Sequence, residues 1–295
     1  MRRSTVVRCA VTAALATLVV GVAAQDRPAV DDLLARVGDR IAEYYLRAQN
    51  VICIEKSTVQ PIGWNYSPQG LARTVESELH VESEPGYDNP SGEARVIREI
   101  RKVNGRPPRP RDKKDRSGCT DPNPLSTEPL AFLLPSHRSE YEFTSAGFAK
   151  DKDRSTLMID FASINRKSKP ELIEDPLGHD DCFDWAGHIA IKGRIWLDAS
   201  TYDVVRVDRR VPGPIDVRVS SKLQSRHNFA NWVVVEREDV TIRYKKVAFS
   251  DPDEMMLLPE SIDSLVLVRG GLESTRRRQT FSDYKRFVTG GRIIK

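Results

Sequence analysis

The segment Ile189–Val211, IAIKGRIWLDASTYDVVRVDRRV, decides the fold class of this chain. Two runs of alternating apolar and polar residues flank a short polar link at positions 198–201. Because successive side chains of a β-strand point to opposite faces of a sheet, the alternation predicts a hairpin with one apolar and one polar face. Such a hairpin is typical of an antiparallel sheet with one face in solvent. The apolar set comprises Ile189, Ile191, Ile195, Leu197, Val205, Val207 and Val211.

Period-two patterns predict further strands on both sides of this hairpin. They cover 51–60, 72–84, 93–104, 140–145 and 155–161 before it, and 215–223, 232–249, 261–268 and 273–287 after it. Two polar segments, at about 105–124 and 165–184, interrupt the pattern and are predicted to be mobile loops.

One strong helix is predicted before the strands, over Val30–Gln49. Its apolar residues recur at steps of three and four and give a single apolar stripe. Asp31 and Asp32 near its start suit the positive end of the helix dipole. A second, short helix is predicted over Thr127–Leu134. The stripe consists of Leu33, Leu34, Val37, Ile41, Tyr44, Tyr45 and Ala48.

A long helix followed by many antiparallel strands predicts an α+β fold that is mainly antiparallel β. The expected architecture is a strongly curved half-barrel sheet with the N-terminal helix packed on its concave face. A closed barrel and a β-sandwich stay open at this point, because the number of strands does not decide closure.

Residues 1–24 have the three-part layout of a secretory signal peptide. Arg2, Arg3 and Arg8 form a basic start, Cys9–Val22 is uncharged, and the small residues at 22–24 suit cleavage. A membrane anchor is the alternative, but the uncharged run is shorter than the roughly 20 residues that a spanning helix needs. The sequence predicts a periplasmic or secreted protein with no transmembrane anchor after signal cleavage.

Most of the net positive charge belongs to this leader. The whole chain has 46 Lys and Arg against 42 Asp and Glu, and without the three leader arginines 43 basic residues face 42 acidic ones. A nearly neutral mature chain gives no support for a nucleic-acid partner. The whole chain has 39% hydrophobic and 30% charged residues, which is typical of a globular protein. Residues 25–295 are predicted to form a single domain.

The phrase Gly193-Arg194-Ile195-Trp196-Leu197-Asp198 resembles one found in the lipoprotein-carrier superfamily (LolA/LolB-like) of bacterial envelopes. The segments Leu258–Ser261 and Thr280–Phe287 are similar to its secreted branch. The resemblance implies an open β half-barrel filled by helices, with at most a hydrophobic ligand cavity and no catalytic residues. The partners it implies are a lipid, a lipoprotein acyl chain or an envelope protein.

The mature chain has three cysteines, Cys53, Cys119 and Cys182. In an oxidising compartment two of them are expected to form a disulfide. Cys119 and Cys182 both lie in polar loops and are the favoured pair, while Cys53 on a strand is expected to be a buried free thiol. A bond from Cys53 to either loop cysteine is the alternative.

The sequence shows no strong catalytic or metal signature. His179, Asp181, Cys182, Asp184 and His188 carry donor atoms suited to zinc, but their spacing matches no known zinc motif, and an acidic turn is the simpler interpretation. The chain has no Gly-x-Ser-x-Gly elbow, no His-Glu-x-x-His helix and no phosphate-binding glycine loop. We therefore expect a non-enzymatic protein without cofactor or metal.

Two residues are candidates for a ligand cavity, Trp196 and Arg277. Arg277 lies between Arg276 and Arg278, so strand alternation places it on the other face from its neighbours. If Arg277 points inward it needs a carboxylate or a ligand head group, because an unpaired buried charge is costly. An edge or bulge with all three arginines in water is the simpler interpretation.

These observations favour an exported protein that binds a lipid, an acyl chain or another hydrophobic ligand in the concavity of a curved sheet. The alternative is a structural or protein-interaction module that fills its own concavity with side chains. A third is a secreted hydrolase or metal-binding protein.

Overall fold

The computed structural model describes residues 29–47, 51–83, 94–110, 130–151, 154–164, 169–174, 183–187, 189–250 and 253–286. The predicted signal peptide at 1–24 lies outside these residues, as does most of the first predicted loop. The described elements are α1 (Val30–Arg47), β1 (Val51–Ile62), β2 (Arg73–Ser83), β3 (Ala94–Val103), β4 (Tyr141–Asp151), β5 (Arg154–Ser163), β6 (Glu171–Glu174), β7 (Phe183–Ala186), β8 (Lys192–Asp198), β9 (Val204–Arg210), β10 (Ile215–Val219), α2 (Ser221–His227), β11 (Trp232–Ser250), β12 (Asp253–Arg269) and β13 (Ser274–Arg286).

The strands form one open, curved sheet. Ten of them follow the order β3-β2-β1-β13-β12-β11-β9-β8-β5-β4, and every neighbouring pair in this path is antiparallel. The first and last strands of the described chain, β1 and β13, pair with each other as the third and fourth strands of this path. A short branch leaves the path where β10 pairs with β11 and, in parallel, with β6, which pairs with β7.

Helix α1 covers the concave face of this sheet. Its apolar residues Leu33, Leu34, Val37 and Ile41 are at most 5% exposed and join the largest core cluster of the protein. The predicted α+β class and the half-barrel with a helix on its concave face are confirmed. The strand residues of that cluster include Cys53, Leu79, Leu157, Ile159, Phe161, Ile195, Leu197, Val204, Val207, Val240, Ile242, Tyr244, Ile262 and Phe281.

The hairpin β8–β9 keeps the predicted alternation over most of its length. Ile195 pairs with Val207 on the buried face, and Trp196 pairs with Arg206 on the opposite face. The register shifts after Trp196, so that Val204 pairs with Leu197 and both Val204 and Val205 are buried. A β-bulge inserts one residue into one strand, which is why strict alternation fails there.

The turn of this hairpin is held by one carboxylate. Asp198 accepts hydrogen bonds from the backbone N–H of Ser200 at 2.9 Å, from Ser200 Oγ at 2.5 Å and from the N–H of Thr201 at 3.2 Å. Burial raises the pKa of Asp198, but these hydrogen bonds outweigh it and the pKa lies below its ordinary value.

Two sequence predictions about local structure are wrong. The predicted loop at 165–184 contains strand β6 and the first two residues of β7, and Leu172 in β6 is 1% exposed. The strand predicted over 215–223 ends at Val219, where Ser220 caps helix α2 by accepting a hydrogen bond from the N–H of Leu223. Four-residue strands are too short to show a period, and the cap overrides the apolar pattern.

The core contact of α1 predicts a large loss of stability on truncation. Leu33→Ala should lower the free energy of unfolding by about 2–5 kcal/mol, because it removes a fully buried side chain and leaves a cavity. Urea denaturation measures the change. Leu71→Ala is the matched control, since Leu71 is 95% exposed and its truncation should stay within about 0.5 kcal/mol. Equal effects of the two substitutions would contradict the packing of α1 on the sheet.

The turn carboxylate predicts a pH dependence of stability. Because the folded pKa of Asp198 is lowered, its contribution is fully present above the ordinary carboxyl pKa of about 3.9 and is lost as the pH falls through the folded value. Asp198→Asn should lower the free energy of unfolding at pH 7 by about 1–3 kcal/mol. The deficit should shrink in acid, as measured by urea denaturation from pH 7 to pH 3. A deficit independent of pH would contradict this role, and the exposed Asp253→Asn serves as control.

Candidate functional site

A cluster of polar side chains interrupts the apolar concave face of strands β1, β2 and β13. Glu55, Ser57, Ser77 and Gln279 are each at most 4% exposed. They are neighbours in the sheet, because Glu55 pairs with Ser77 and Ser57 pairs with Gln279. Together with two arginines that reach the same face, they form what we call the polar cluster, defined as Glu55, Ser57, Ser77, Arg98, Arg277 and Gln279.

Glu55 is the hydrogen-bonding centre of the polar cluster. Its Oε2 accepts a hydrogen bond from Nε of Arg98 at 2.6 Å, and its Oε1 accepts one from Nε2 of Gln279 at 2.9 Å. Arg98 comes from β3, where it pairs with Leu79, and its side chain is 16% exposed. A carboxylate that is 1% exposed is stable in the interior only with such partners.

Arg277 adds a second cation to this interior. It pairs with Val59 on one side and Ser264 on the other, and its Nε is buried without a hydrogen-bond partner among the described residues. Arg276 and Arg278 on either side are exposed. The interpretation with all three arginines in water is therefore wrong, because Arg277 shares the inward phase of the buried Gln279. Burial lowers the pKa of Arg277, while Glu55 opposes the shift and Arg98 adds to it.

Two hydroxyl groups beside Glu55 complete the polar cluster. Oγ of Ser57 and Oγ of Ser77 are buried, and neither has a hydrogen-bond partner in the described part of the chain. Most buried polar atoms of folded proteins do have partners, so each exception requires an explanation. The polar cluster therefore offers two guanidinium groups, one carboxylate and two unused hydroxyls.

Cys53 lies next to this cluster on β1, and its thiol is unreactive. It is a buried free thiol, as predicted. Burial, and secondarily the charge of Glu55, raises its pKa to about 12, so the thiol stays neutral and is a poor nucleophile.

The predicted disulfide between Cys119 and Cys182 lies outside the described residues. The zinc candidates His179, Asp181 and His188 lie outside them too. Among the residues that are described, no group of three or more His, Cys, Asp or Glu could hold a metal ion.

A pocket of about 220 Å³ opens between α1 and the concave side of the sheet. Its charged lining residues pair with one another: Arg40 with Glu43 at 3.0 Å, and Lys246 with Asp203 at 3.8 Å. The remaining lining is mostly apolar and comprises Ile41, Leu130, Thr201, Val204, Tyr244, Met255, Met256 and Leu257.

A larger groove of about 710 Å³ lies mainly on the opposite, outer face of the sheet. Nε and Nη2 of Arg194 donate to the two oxygens of Asp160 at 2.6 and 2.9 Å, and Arg206 pairs in the same way with Asp208. Four basic and four acidic residues line the groove, so its charges balance.

The two predicted cavity residues lie on different faces of the sheet. Trp196 lines the outer groove, where the guanidinium carbon of Arg206 lies 4.4 Å from its ring centre. Arg277 lies on the concave face, so the structure does not bring the two together. Glu55 was missed, although its signal was present: it occupies the same odd-numbered phase of β1 as Val51, Cys53 and Val59.

Structure comparison matches the chain to solved proteins over most of their length, at low identity. A domain described as an outer membrane lipoprotein-sorting protein from Vibrio parahaemolyticus is 10% identical, with 89% of this chain and 94% of that chain covered and a TM-score of 0.37. A LolA superfamily protein from Nitrosomonas europaea is 10% identical over 89% and 97%, with a TM-score of 0.33. A DUF1329 family protein from Desulfovibrio piger is 10% identical over 88% and 92%, with a TM-score of 0.42.

Two of these three structures are described in terms of the lipoprotein-carrier superfamily that the sequence resembles, at low identity and with TM-scores below 0.5. No family model matches the chain, and no curated protein matches it by sequence. In the described part of the chain, no helix combines the length and the apolarity needed to cross a membrane.

The ion pair at the centre of the polar cluster predicts a strong effect of one neutral substitution. Glu55→Gln removes the only carboxylate of the cluster and leaves two buried cations without it, so the free energy of unfolding should fall by about 3–5 kcal/mol. Thermal and urea denaturation measure the loss. The control is Glu76→Gln on the neighbouring strand, whose more exposed pair with Lys102 should contribute about 0–1 kcal/mol. A loss from Glu55→Gln no larger than that of the control would contradict the pairing described here.

Proposed function

We propose that this protein is a non-enzymatic, exported protein of the cell envelope that binds an acyl chain or another hydrophobic ligand on the concave side of its sheet. The observation that carries the proposal is the pocket between α1 and strands β11 and β12, with its apolar floor and paired charged rim. Acyl chains bind by burying apolar surface, and a floor of Ile41, Tyr244 and Leu257 provides that surface.

The volume of the pocket limits the size of the ligand that it can bind. Drug-sized ligands occupy roughly 300–1,000 Å³, so about 220 Å³ suits part of a chain rather than a whole lipid. Beside the pocket, helix α1 packs its apolar side chains into the core of the concave face. A single acyl chain, presented from a lipid or from a lipoprotein, is therefore the ligand we propose.

The filled core also supports a second candidate, a protein-interaction module of the envelope. In that case the outer groove is the partner surface, because its 710 Å³ are lined by alternating charged residues and by Trp196. The first candidate requires saturable binding of a free acyl chain, and the second requires none.

Filling the pocket tests the first candidate. A fluorescent fatty acid should bind the purified protein saturably, and Leu257→Trp should weaken binding at least tenfold by occupying the pocket. Leu265→Trp is the matched control on the same strand, because Leu265 pairs with the exposed Arg276 and lies on the other face. Absence of binding by the wild-type protein would refute the proposal and favour the interaction module.

A further inference from the structure

We propose that the polar cluster binds the anionic oxygen group, a phosphate or a carboxylate, of a long-chain amphiphile, with Arg277 as its principal contact. This inference rests on the proposed function and names the class of ligand. It follows from the charge, the unused hydrogen-bonding groups and the position of the cluster.

The charge of the cluster favours an anion. Arg98 and Arg277 face a single carboxylate, and both oxygens of that carboxylate already accept hydrogen bonds from Arg98 and Gln279. Among the six residues that define the cluster, two guanidinium groups thus stand against one carboxylate, an excess of one positive charge. A bound anion would restore the balance, and guanidinium groups bind phosphate and carboxylate oxygens through charge-assisted hydrogen bonds.

The unused donors are in place for such a group. Nε of Arg277, Oγ of Ser57 and Oγ of Ser77 are buried without partners among the described residues. All three belong to one face of the adjacent strands β2, β1 and β13, since Ser57 pairs with Gln279 and Ser77 pairs with Glu55. An N–H and two hydroxyls on one surface suit an oxyanion, which offers several acceptors at once.

Arg277 is the point at which the polar cluster approaches solvent near the start of β13. Ser57 and Ser77 are 1% exposed, whereas Arg277 is half-buried and lies only three residues after the start of β13. Further along β13, Phe281 belongs to the same apolar core as Ile41 and Tyr244, which line the acyl pocket. The concave face is thus polar towards one end and apolar towards the other.

The distance between the polar cluster and the apolar pocket requires a long ligand. Arg277 pairs with Ser264 of β12, and the pocket residue Leu257 lies seven positions earlier on that strand. At about 3.3 Å per residue, the two are roughly 23 Å apart along the strand. A ligand that contacts both must carry its anionic group at the end of an extended chain.

A matched pair of lipids tests the inference. 1-Hexadecanoyl lysophosphatidate and 1-monohexadecanoylglycerol differ only by the phosphate, and each is titrated as a displacer of the fluorescent fatty acid. The wild-type protein should bind the phosphate-bearing lipid at least tenfold more tightly, since charge-assisted hydrogen bonds are worth about a factor of ten or more. Arg277→Gln should bring the ratio of the two affinities close to one by weakening the binding of the phosphate-bearing lipid.

The neighbouring arginine supplies the control. Arg276→Gln removes the same charge from the exposed face and should keep the wild-type ratio. If Arg277→Gln fails to fold by circular dichroism, Ser57→Ala combined with Ser77→Ala replaces it and should lower the ratio severalfold. An unchanged ratio in whichever variant is used overturns the inference.

The remaining arms separate the sources of the anion and the two proposals. Hexadecanoate should share the preference if carboxylates bind, and inorganic phosphate alone should bind at least a hundredfold more weakly than the lipid. If inorganic phosphate binds as tightly as the lipid, the inference that the ligand is a long-chain amphiphile is overturned. Equal binding of the two lipids by the wild-type protein overturns the inference but leaves the proposed function standing, whereas binding of neither lipid refutes the proposed function itself.

Discussion

The structure depends on covering the concave face of an open, curved sheet. The face is apolar over most of its area, and the antiparallel path from β3 to β4 does not close on itself. Helix α1 covers this face with one stripe of apolar side chains, in which Leu33, Val37 and Ile41 are at most 2% exposed. Hydrophobic burial is roughly proportional to the area removed from water, so this one helix contributes to the core of many strands at once.

The polar cluster is the exception to this rule and lies where the first and last strands of the described chain meet. Strands β1 and β13 pair there, and Glu55 joins them through Gln279. A buried ion pair is weak support for stability, because desolvation costs as much as the charges gain, and apolar residues at these positions would stabilise the fold as well or better. Stability alone therefore does not account for Glu55, Arg98 and Arg277 on this face, whereas the polar ligand that we propose would.

The sequence determines the alternating strands and the stripe of α1, because both patterns are local. Trp196 was predicted as a cavity residue although alternation along β8 puts it out of phase with the buried Ile195 and Leu197. Alternation could not find the partners of Glu55, which come from positions 43 and 224 residues away in the chain. It missed β6 and β7 because four residues are fewer than a period needs, and the bulge at Val204 because one inserted residue reverses the phase.

The two faces of the sheet differ in how far their polar groups are satisfied. The outer groove is larger, but Arg194 pairs with Asp160 and Arg206 pairs with Asp208 through two hydrogen bonds each, so the charges of these pairs compensate each other. On the concave face the opposite holds, because Arg277 and two serine hydroxyls are buried with hydrogen-bonding capacity unused among the described residues. An unsatisfied buried donor raises the free energy of the ligand-free protein, and a ligand that satisfies it recovers that free energy on binding. The smaller, unbalanced side is therefore the one on which a ligand gains most.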